Sequence, residues 1–190
     1  MANINIGVLT GSLRKESYSK KTGLYIAKLL PEDFTAKWID LSGLTMYNQD
    51  YDDGGNPSRE WQAFRQEIKS MDAFLFVTPE YNRSITAALK NALDVASRPF
   101  GQNAWNGKPG AIISVTQGKL GAFGANHHLR QSMVFLNIPL LQQPEAYLGN
   151  IAELFNESGE ITDLGTKDFL QTFADAFARW VRTLTKAAGK

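Results

Sequence analysis

The sequence predicts an α/β fold, with a doubly wound five-stranded parallel sheet of order 2-1-3-4-5 and helices on both faces. Short apolar runs alternate five times with longer segments of helical periodicity, the pattern of successive strand–helix–strand units. Two of these runs, Ala73–Thr78 and Pro109–Thr116, are apolar almost throughout, which is typical of strands covered on both faces. Right-handed crossovers between parallel strands then place helices on both sides of the sheet.

The first half of the chain supplies two strands and a helix between them. Ile4–Thr10 is an apolar run and is predicted as the first strand. A helix is expected over Tyr18–Leu30, because its apolar residues lie on one face and Pro31 ends it. Thr35–Leu41 is the second predicted strand, and Asp50–Pro57 reads as a turn-rich loop because it combines Asp, Gly, Asn and Pro.

The remaining elements follow from the same periodicities. Ser58–Met71 is predicted as a helix because Trp61, Phe64, Ile68 and Met71 recur at steps of three and four. The others, in chain order, are strand Ala73–Thr78, helix Ser84–Ser97, strand Pro109–Thr116, helix Ala122–Leu136, strand Ile138–Leu141 and a C-terminal helix whose apolar stripe runs from Phe169 to Leu184.

Length and composition restrict the class of protein. The 190 residues predict a single domain spanning 1–190. The net charge of +1 argues against a basic nucleic-acid surface and gives no polybasic patch for a membrane. The chain has no cysteine, which excludes thiolate chemistry and favours a reducing cytoplasm. No signal peptide or membrane-spanning run is recognised.

Three loops follow the carboxyl ends of strands, where doubly wound sheets bind their ligands. The first loop (Thr10–Ser19) enters a helix, and its Ser12, Ser17, Ser19 and Arg14 side chains could donate to a phosphate at the helix N-terminus. It lacks the glycine spacing of dinucleotide and nucleoside-triphosphate motifs. An ordinary capped turn with Ser17 as the N-cap is almost equally compatible with this sequence.

The second loop (Thr78–Ser84) and the third loop (Thr116–Gly124) could hold a planar heteroaromatic ligand. Tyr81 offers a flat apolar wall, and the loop amides can bond to ring heteroatoms. The glycines of the third loop allow the backbone to approach a ligand closely. Helix capping by Asn82 or Ser84, and a flexible connection in the third loop, are the alternative interpretations.

The motifs in these loops resemble the NAD(P)H-dependent FMN reductase family, which includes bacterial quinone, azo-dye and chromate reductases. They are Gly11-Ser12-Leu13-Arg14-x-x-Ser17, Thr78-Pro79-Glu80-Tyr81-Asn82-x-Ser84 and Leu89-Lys90-Asn91-Ala92-Leu93-Asp94. The resemblance covers roughly residues 4 to 141. It implies a flavodoxin-like, FMN-binding domain that forms a homodimer or homotetramer, with helices after the second and third loops at the interface.

The resemblance also implies the residues of the cofactor site. Ser12, Arg14, Ser17 and Ser19 would hold the FMN phosphate. The residues that would line the isoalloxazine ring and the ribityl chain are Pro79, Glu80, Tyr81, Asn82 and Ser84. Those that would approach the pyrimidine edge of the ring are Thr116, Gln117 and Gly118. Hydride would pass from NADPH or NADH to flavin N5 and on to a small-molecule acceptor such as a quinone, an azo compound or free FMN, in ping-pong order. No catalytic side chain and no metal are expected.

Two other functions remain compatible with this sequence. A flavodoxin-type electron carrier would bind FMN without turning over a substrate of its own. A flavin-free interaction protein could keep the same fold. His127 and His128 lack partners at metal-ligand spacing and are interpreted as structural or solvated.

Overall fold

The computed structural model describes residues 3–187, which form one parallel sheet covered by helices. The strands are β1 (Ile4–Thr10), β2 (Phe34–Trp38), β3 (Ala73–Thr78), β4 (Gly110–Val115) and β5 (Ala146–Leu148). The helices are α1 (Tyr18–Leu29), α2 (Gln49–Asp53), α3 (Arg59–Ser70), α4 (Ala87–Ala96), α5 (Phe123–Leu136), α6 (Ile151–Leu154) and α7 (Leu164–Ala187).

The five strands are parallel and lie in the order β2-β1-β3-β4-β5, which confirms the predicted topology. β1, β3 and β4 form the centre of the sheet, and β3 and β4 are buried along their whole length. Because all carboxyl ends of parallel strands point the same way, the loops that follow β1, β3 and β4 lie along one edge of the sheet.

Successive side chains of the central strands enter two separate hydrophobic cores. One core lies between the sheet and helices α1 and α7, where Phe173 and Phe177 are buried as the predicted apolar stripe requires. The other lies between the sheet and helices α3, α4 and α5, around the buried Trp61 and Trp105. None of the helices within residues 3–187 is long and apolar enough to cross a membrane.

The predicted fifth strand is wrong. Ile138–Leu141 makes only one bridge, between Leu140 and Gly110, and its apolar side chains fill the core instead. Both hydrogen bonds of that bridge are formed, since the Gly110 N–H donates to the Pro139 carbonyl at 3.0 Å and the Leu141 N–H donates to the Gly110 carbonyl at 2.8 Å, but the pairing does not continue along β4. The fifth strand is Ala146–Leu148, which pairs with β4 in register Ile113 to Ala146.

Several element ends also differ from the prediction. The segment predicted as the Asp50–Pro57 loop begins with a helical turn, α2, because the Asn48 side chain accepts from the Asp50 N–H and caps it. β2 stops at Trp38 rather than Leu41, since the Asp40 side chain turns the chain by accepting from the Ser42 N–H.

Candidate functional site

A cavity of about 190 Å³ opens at the carboxyl edge of the sheet, where the first, second and third loops meet. Its lining residues are Ser12, Arg14, Ser17, Tyr18, Ser19, Pro79, Glu80, Tyr81, Val115, Thr116, Gln117 and Ile151. The chain segments that form it are far apart in the sequence, and the strand order alone brings them together. We call it the cofactor cavity below.

The first loop leads into the N-terminus of α1. Ser17 is the N-cap: its side-chain oxygen accepts from the Lys20 N–H at 3.1 Å. Ser17 and Ser19 are both buried, and no acidic residue lies in the first turn of α1. The cap that the sequence suggested is therefore present, and it leaves the positive end of this helix without a negative charge of its own.

This part of the cavity has the donor chemistry that a phosphate needs. Ser12, Ser17 and Ser19 contribute hydroxyl groups, and Arg14 contributes a guanidinium. Within the described residues 3–187, that guanidinium forms no hydrogen bond or ion pair; only the Arg14 backbone N–H is engaged, with the Ser12 hydroxyl at 3.4 Å. An uncompensated cation beside a helix N-terminus fits the phosphate of FMN.

The second loop is a tight turn. Tyr81 and Ser84 exchange two backbone hydrogen bonds of 2.9 Å, and Asn82 and Arg83 both have positive φ, at 51° and 66°. Two successive left-handed residues define a type I′ turn, in which Asn is favoured. Tyr81 is 55% exposed at the mouth of the cavity, so its ring presents a face to a ligand.

A hydrogen bond joins the second loop to the first. α4 begins at Ala87 rather than Ser84, because the Thr86 hydroxyl is its N-cap. The same hydroxyl donates to the Gly11 carbonyl at 2.6 Å. A Cβ on Gly11 would lie 3.0 Å from both Thr86 Oγ1 and Pro79 Cδ, so the two loops touch closely there.

Glu80 joins the second loop to α5. Its Oε2 accepts from the Ala125 N–H at 3.0 Å, and its Oε1 lies 3.3 Å from Arg83 Nη1. The side chain is only 12% exposed. α5 has no acidic residue in its own first turn and no side-chain cap of its own, so the Glu80 carboxylate supplies negative charge at this helix N-terminus. The one carboxylate that lines the cavity is therefore already engaged by protein groups.

The third loop is packed against the segment after β5. The Gly118 carbonyl accepts from the Asn150 N–H at 3.2 Å. Gly121 has φ +60°, and a Cβ there would lie 2.6 Å from Tyr147 Cβ. The third loop is thus packed against β5 and the residues after it, and the contact at Gly121 requires glycine, whereas the alternative interpretation was a flexible connection.

Phe123, His127 and Tyr147 form a cluster of rings beside the third loop. His127 Nε2 is 3.1 Å from the Tyr147 hydroxyl, and the Phe123 and His127 rings are 4.2 Å apart. Burial, and then a hydrogen bond with Glu145, raise the pKa of Tyr147 to about 12. The other histidine, His128, bonds through Nδ1 to the Ser84 hydroxyl at 3.0 Å, so both histidines have side-chain partners as structural residues do.

Nine of the twelve residues expected at the cofactor site line this cavity. Asn82, Ser84 and Gly118 belong to the same loops but lie outside the lining, with Asn82 at the exposed tip of the turn. Tyr18, Val115 and Ile151 line it without having been predicted. Tyr18 and Val115 adjoin predicted residues, whereas Ile151 comes from α6, a four-residue helix that no periodicity in the sequence predicts.

The fold and this cavity define a doubly wound α/β protein whose cavity, at the carboxyl edge of its sheet, has the donor groups that a phosphate needs. Residues 4–153 match the family described as NADPH-dependent FMN reductase. The chain belongs to that family, and it is therefore an oxidoreductase with FMN as its cofactor and NAD(P)H as its reductant.

Relatives and a solved structure agree with this assignment. The chain is 51% identical over 178 residues to a quinone reductase of Pseudomonas putida, covering 94% of this chain and 95% of the relative. It is 46% identical over 179 residues to a 2-hydroxy-1,4-benzoquinone reductase of a Burkholderia species, covering 94% and 97%. The solved structure of FerB, a flavoenzyme NAD(P)H:(acceptor) oxidoreductase from Paracoccus denitrificans, superimposes with a TM-score of 0.88 at 36% identity, covering 95% of this chain and 98% of that one.

Proposed function

We propose that the protein reduces quinones with NADPH or NADH through FMN bound in the cofactor cavity. The observation that carries this proposal is that one cavity is lined both by an uncompensated Arg14, close to the α1 N-terminus, and by the exposed Tyr81 ring. The names of the relatives from Pseudomonas putida and Burkholderia support a quinone as the acceptor.

Each part of the cavity would hold one part of the cofactor. Ser12, Arg14, Ser17 and Ser19 would bind the phosphate, and Pro79, Glu80 and Tyr81 would line the ring and the ribityl chain. Thr116 and Gln117 would contact the pyrimidine edge. Asn82, Ser84 and Gly118 stay in the proposal as residues of the same loops, although they do not line the cavity.

FMN supplies the hydride-accepting and hydride-donating centre, and the protein supplies position and charge. We propose that no side chain acts as a general acid or base. Glu80 is held by the Ala125 N–H and by Arg83, and Arg14 cannot lose its proton. One ligand-accessible face beside Tyr81 would admit reductant and acceptor in turn, which predicts ping-pong kinetics.

The decisive experiment is anaerobic. The purified protein is reconstituted with FMN, NADPH is added, and the visible flavin absorption is followed before and after addition of a benzoquinone. We expect bleaching by NADPH and recovery with the quinone, together with parallel lines in double-reciprocal plots. If neither NADPH nor NADH, added separately, bleaches the flavin absorption, the proposal is refuted and the electron-carrier alternative is favoured. A protein that does not bind FMN at all would favour the flavin-free interaction protein.

We further propose that the whole chain, residues 1–190, is a single domain that works as a homodimer or homotetramer in the cytoplasm. Large apolar side chains are exposed along α5, with Val134 81% and Phe135 75% accessible, and this supports an interface on that helix. The absence of cysteine is compatible with a reducing compartment. Light scattering coupled to gel filtration tests the oligomeric state, and replacing Phe135 with Lys should shift it toward monomer.

A further inference from the structure

A second cavity, of about 220 Å³, lies beside the cofactor cavity on the β2 side of the first loop. The two cavities share Ser12 and Arg14. The rest of the second one is formed by Leu13 and Lys15, by Lys20 of α1 and by the residues at the end of β2. We call it the β2-side cavity.

Positive charge is concentrated in the β2-side cavity. Lys15 and Lys20 line it and do not line the cofactor cavity. Lys15, like Arg14, has no ion pair or side-chain hydrogen bond within residues 3–187. This arrangement leaves two lysines available for an anion other than the FMN phosphate.

One carboxylate, that of Asp40, lies in the same cavity. It accepts hydrogen bonds from the Ser42 N–H at 3.0 Å and the Ser42 hydroxyl at 2.7 Å, and these bonds lower its pKa and keep it ionised. With Arg14 assigned to the FMN phosphate, Lys15 and Lys20 against this one carboxylate leave a net positive charge of one. A phosphate monoester carries about −1.5 to −2 at neutral pH and would be attracted by that charge.

The cavity also has an aromatic wall. Trp38, the last residue of β2, is half-buried and lines it. The Lys20 ammonium lies 5.1 Å from the centre of the Trp38 ring. A partly exposed indole can contact a nucleobase, and the lysine over its ring can pair with a phosphate on the attached ribose.

We infer that the β2-side cavity binds the adenosine 2′-phosphate end of NADPH, with Lys15 and Lys20 pairing with the phosphate and Trp38 contacting the adenine. This inference rests on the proposed function, since it takes the nicotinamide end of the same molecule to lie against the accessible face of FMN beside Tyr81. Ser12 and Arg14 line both cavities, so a dinucleotide that crosses these two residues would connect them. NADH lacks the 2′-phosphate, so the lysines would set the preference for NADPH.

The kinetic test uses the FMN-loaded protein with Lys15→Ala/Lys20→Ala and a saturating quinone. We expect the KM for NADPH to rise about tenfold or more, the loss of one charge-assisted contact being worth roughly that factor. The KM for NADH and both kcat values should change by less than twofold. The charge-matched control is Lys28→Ala/Lys69→Ala, which removes two exposed lysines outside the cavity and should leave both KM values unchanged. Lys15→Arg/Lys20→Arg should restore the preference.

A binding test does not depend on turnover. Adenosine 2′,5′-bisphosphate, adenosine 5′-monophosphate and inorganic phosphate are titrated calorimetrically into the FMN-loaded protein and into the double alanine variant. We expect the bisphosphate to bind at least tenfold more tightly than the other two, and to lose that advantage in the variant. Its affinity should also fall with added salt, because exposed charges are screened.

Each result decides the inference separately from the proposed function. Equal rises in the KM for NADPH and NADH, or unchanged bisphosphate binding in the variant, would overturn it while quinone reduction persists. Inorganic phosphate binding as tightly as the bisphosphate would show a general anion site and would also overturn it. If neither nicotinamide is oxidised, the proposed function fails, and the calorimetric titrations still test the cavity.

Discussion

Replacing Glu80 removes the connection between the second loop and α5. In Glu80→Ala, the Ala125 N–H loses its acceptor at 3.0 Å. The N-terminus of α5, which has no acidic residue in its own first turn, also loses the negative charge of that carboxylate. In Glu80→Gln, an amide oxygen can still accept from Ala125, but the negative charge is lost. The pair of variants therefore separates the hydrogen bond from the charge.

The expected magnitudes follow from the geometry around Glu80. A hydrogen bond to a charged group contributes about 1.5–3 kcal/mol, and a charge at a helix N-terminus adds about 0.3–1 kcal/mol. Arg83 is 75% exposed, so its ion pair with Glu80 adds little. We expect Glu80→Ala to lower the free energy of unfolding by about 2–4 kcal/mol and Glu80→Gln by about 1 kcal/mol.

Thermal and urea denaturation of the FMN-free protein would measure these losses without stabilisation by bound cofactor. The alanine variant should melt roughly 5–15 °C lower than the parent, given about 2–4 °C per kcal/mol for a chain of this size. Glu157→Ala, at an exposed position, is the control and should change the unfolding free energy by less than about 0.5 kcal/mol. Equal losses in the Gln and Ala variants, or an Ala variant as stable as the control, would refute the reasoning.

Three further predictions concern the cofactor, the buried ion pair and the third loop. Arg14→Ala should weaken FMN binding by about 2–3 kcal/mol in a flavin-fluorescence titration, and unchanged affinity would contradict the phosphate assignment. Arg65→Met should lower the free energy of unfolding, measured by urea denaturation, by about 3–5 kcal/mol, because it leaves the Asp52 carboxylate, which is 2% exposed, without its cation. A loss below about 1 kcal/mol would contradict this prediction. The hydrogen bond from Arg65 lowers the pKa of Asp52 from 3.8. The ion pair therefore stabilises the protein fully above about pH 4, and this stabilisation is lost as the pH falls through the lowered pKa. Asp52→Asn should reduce the dependence of the unfolding free energy on pH in this acid range. Gly121→Ala should lower the melting temperature by several degrees, because φ is +60° and the new Cβ would lie 2.6 Å from Tyr147 Cβ. Gly118→Ala is the control and should leave the melting temperature unchanged, because nothing lies within 4 Å of a Cβ there. Equal melting temperatures of the two variants would contradict this prediction.

The strands that the sequence predicted best are those with one unambiguous apolar run. β1 and β3 begin and end at the predicted residues, because each is a single apolar run that is followed by a polar loop. The fifth strand was misplaced because Ile138–Leu141 is the longer apolar run, and Ala146–Leu148 has only three residues. The deciding fact is tertiary: pairing with β4 stops after Leu140 and Gly110 and resumes between Ala146 and Ile113.

The same limit applies to the candidate site. The strand order, inferred from the alternation of elements, was enough to bring the three loops to one edge. The start of α4 was not predictable, because Asn82, Ser84 and Thr86 are all residue types that cap helices. Thr86 is the cap, and its hydroxyl also bonds the Gly11 carbonyl, 75 positions earlier in the chain. No local pattern reports a contact of that kind, or the approach of Ile151 to the cavity.

Two hydrogen bonds, from Thr86 to the Gly11 carbonyl and from the Ala125 N–H to Glu80, connect the loops at the carboxyl edge of the sheet. A substitution that removes either bond should therefore affect the neighbouring loops as well. The effects of paired substitutions there on stability should be non-additive. Tyr81, by contrast, is exposed at the mouth and takes part in the turn only through its backbone. We therefore expect that exchanging the Tyr81 ring would leave the framework beneath it intact.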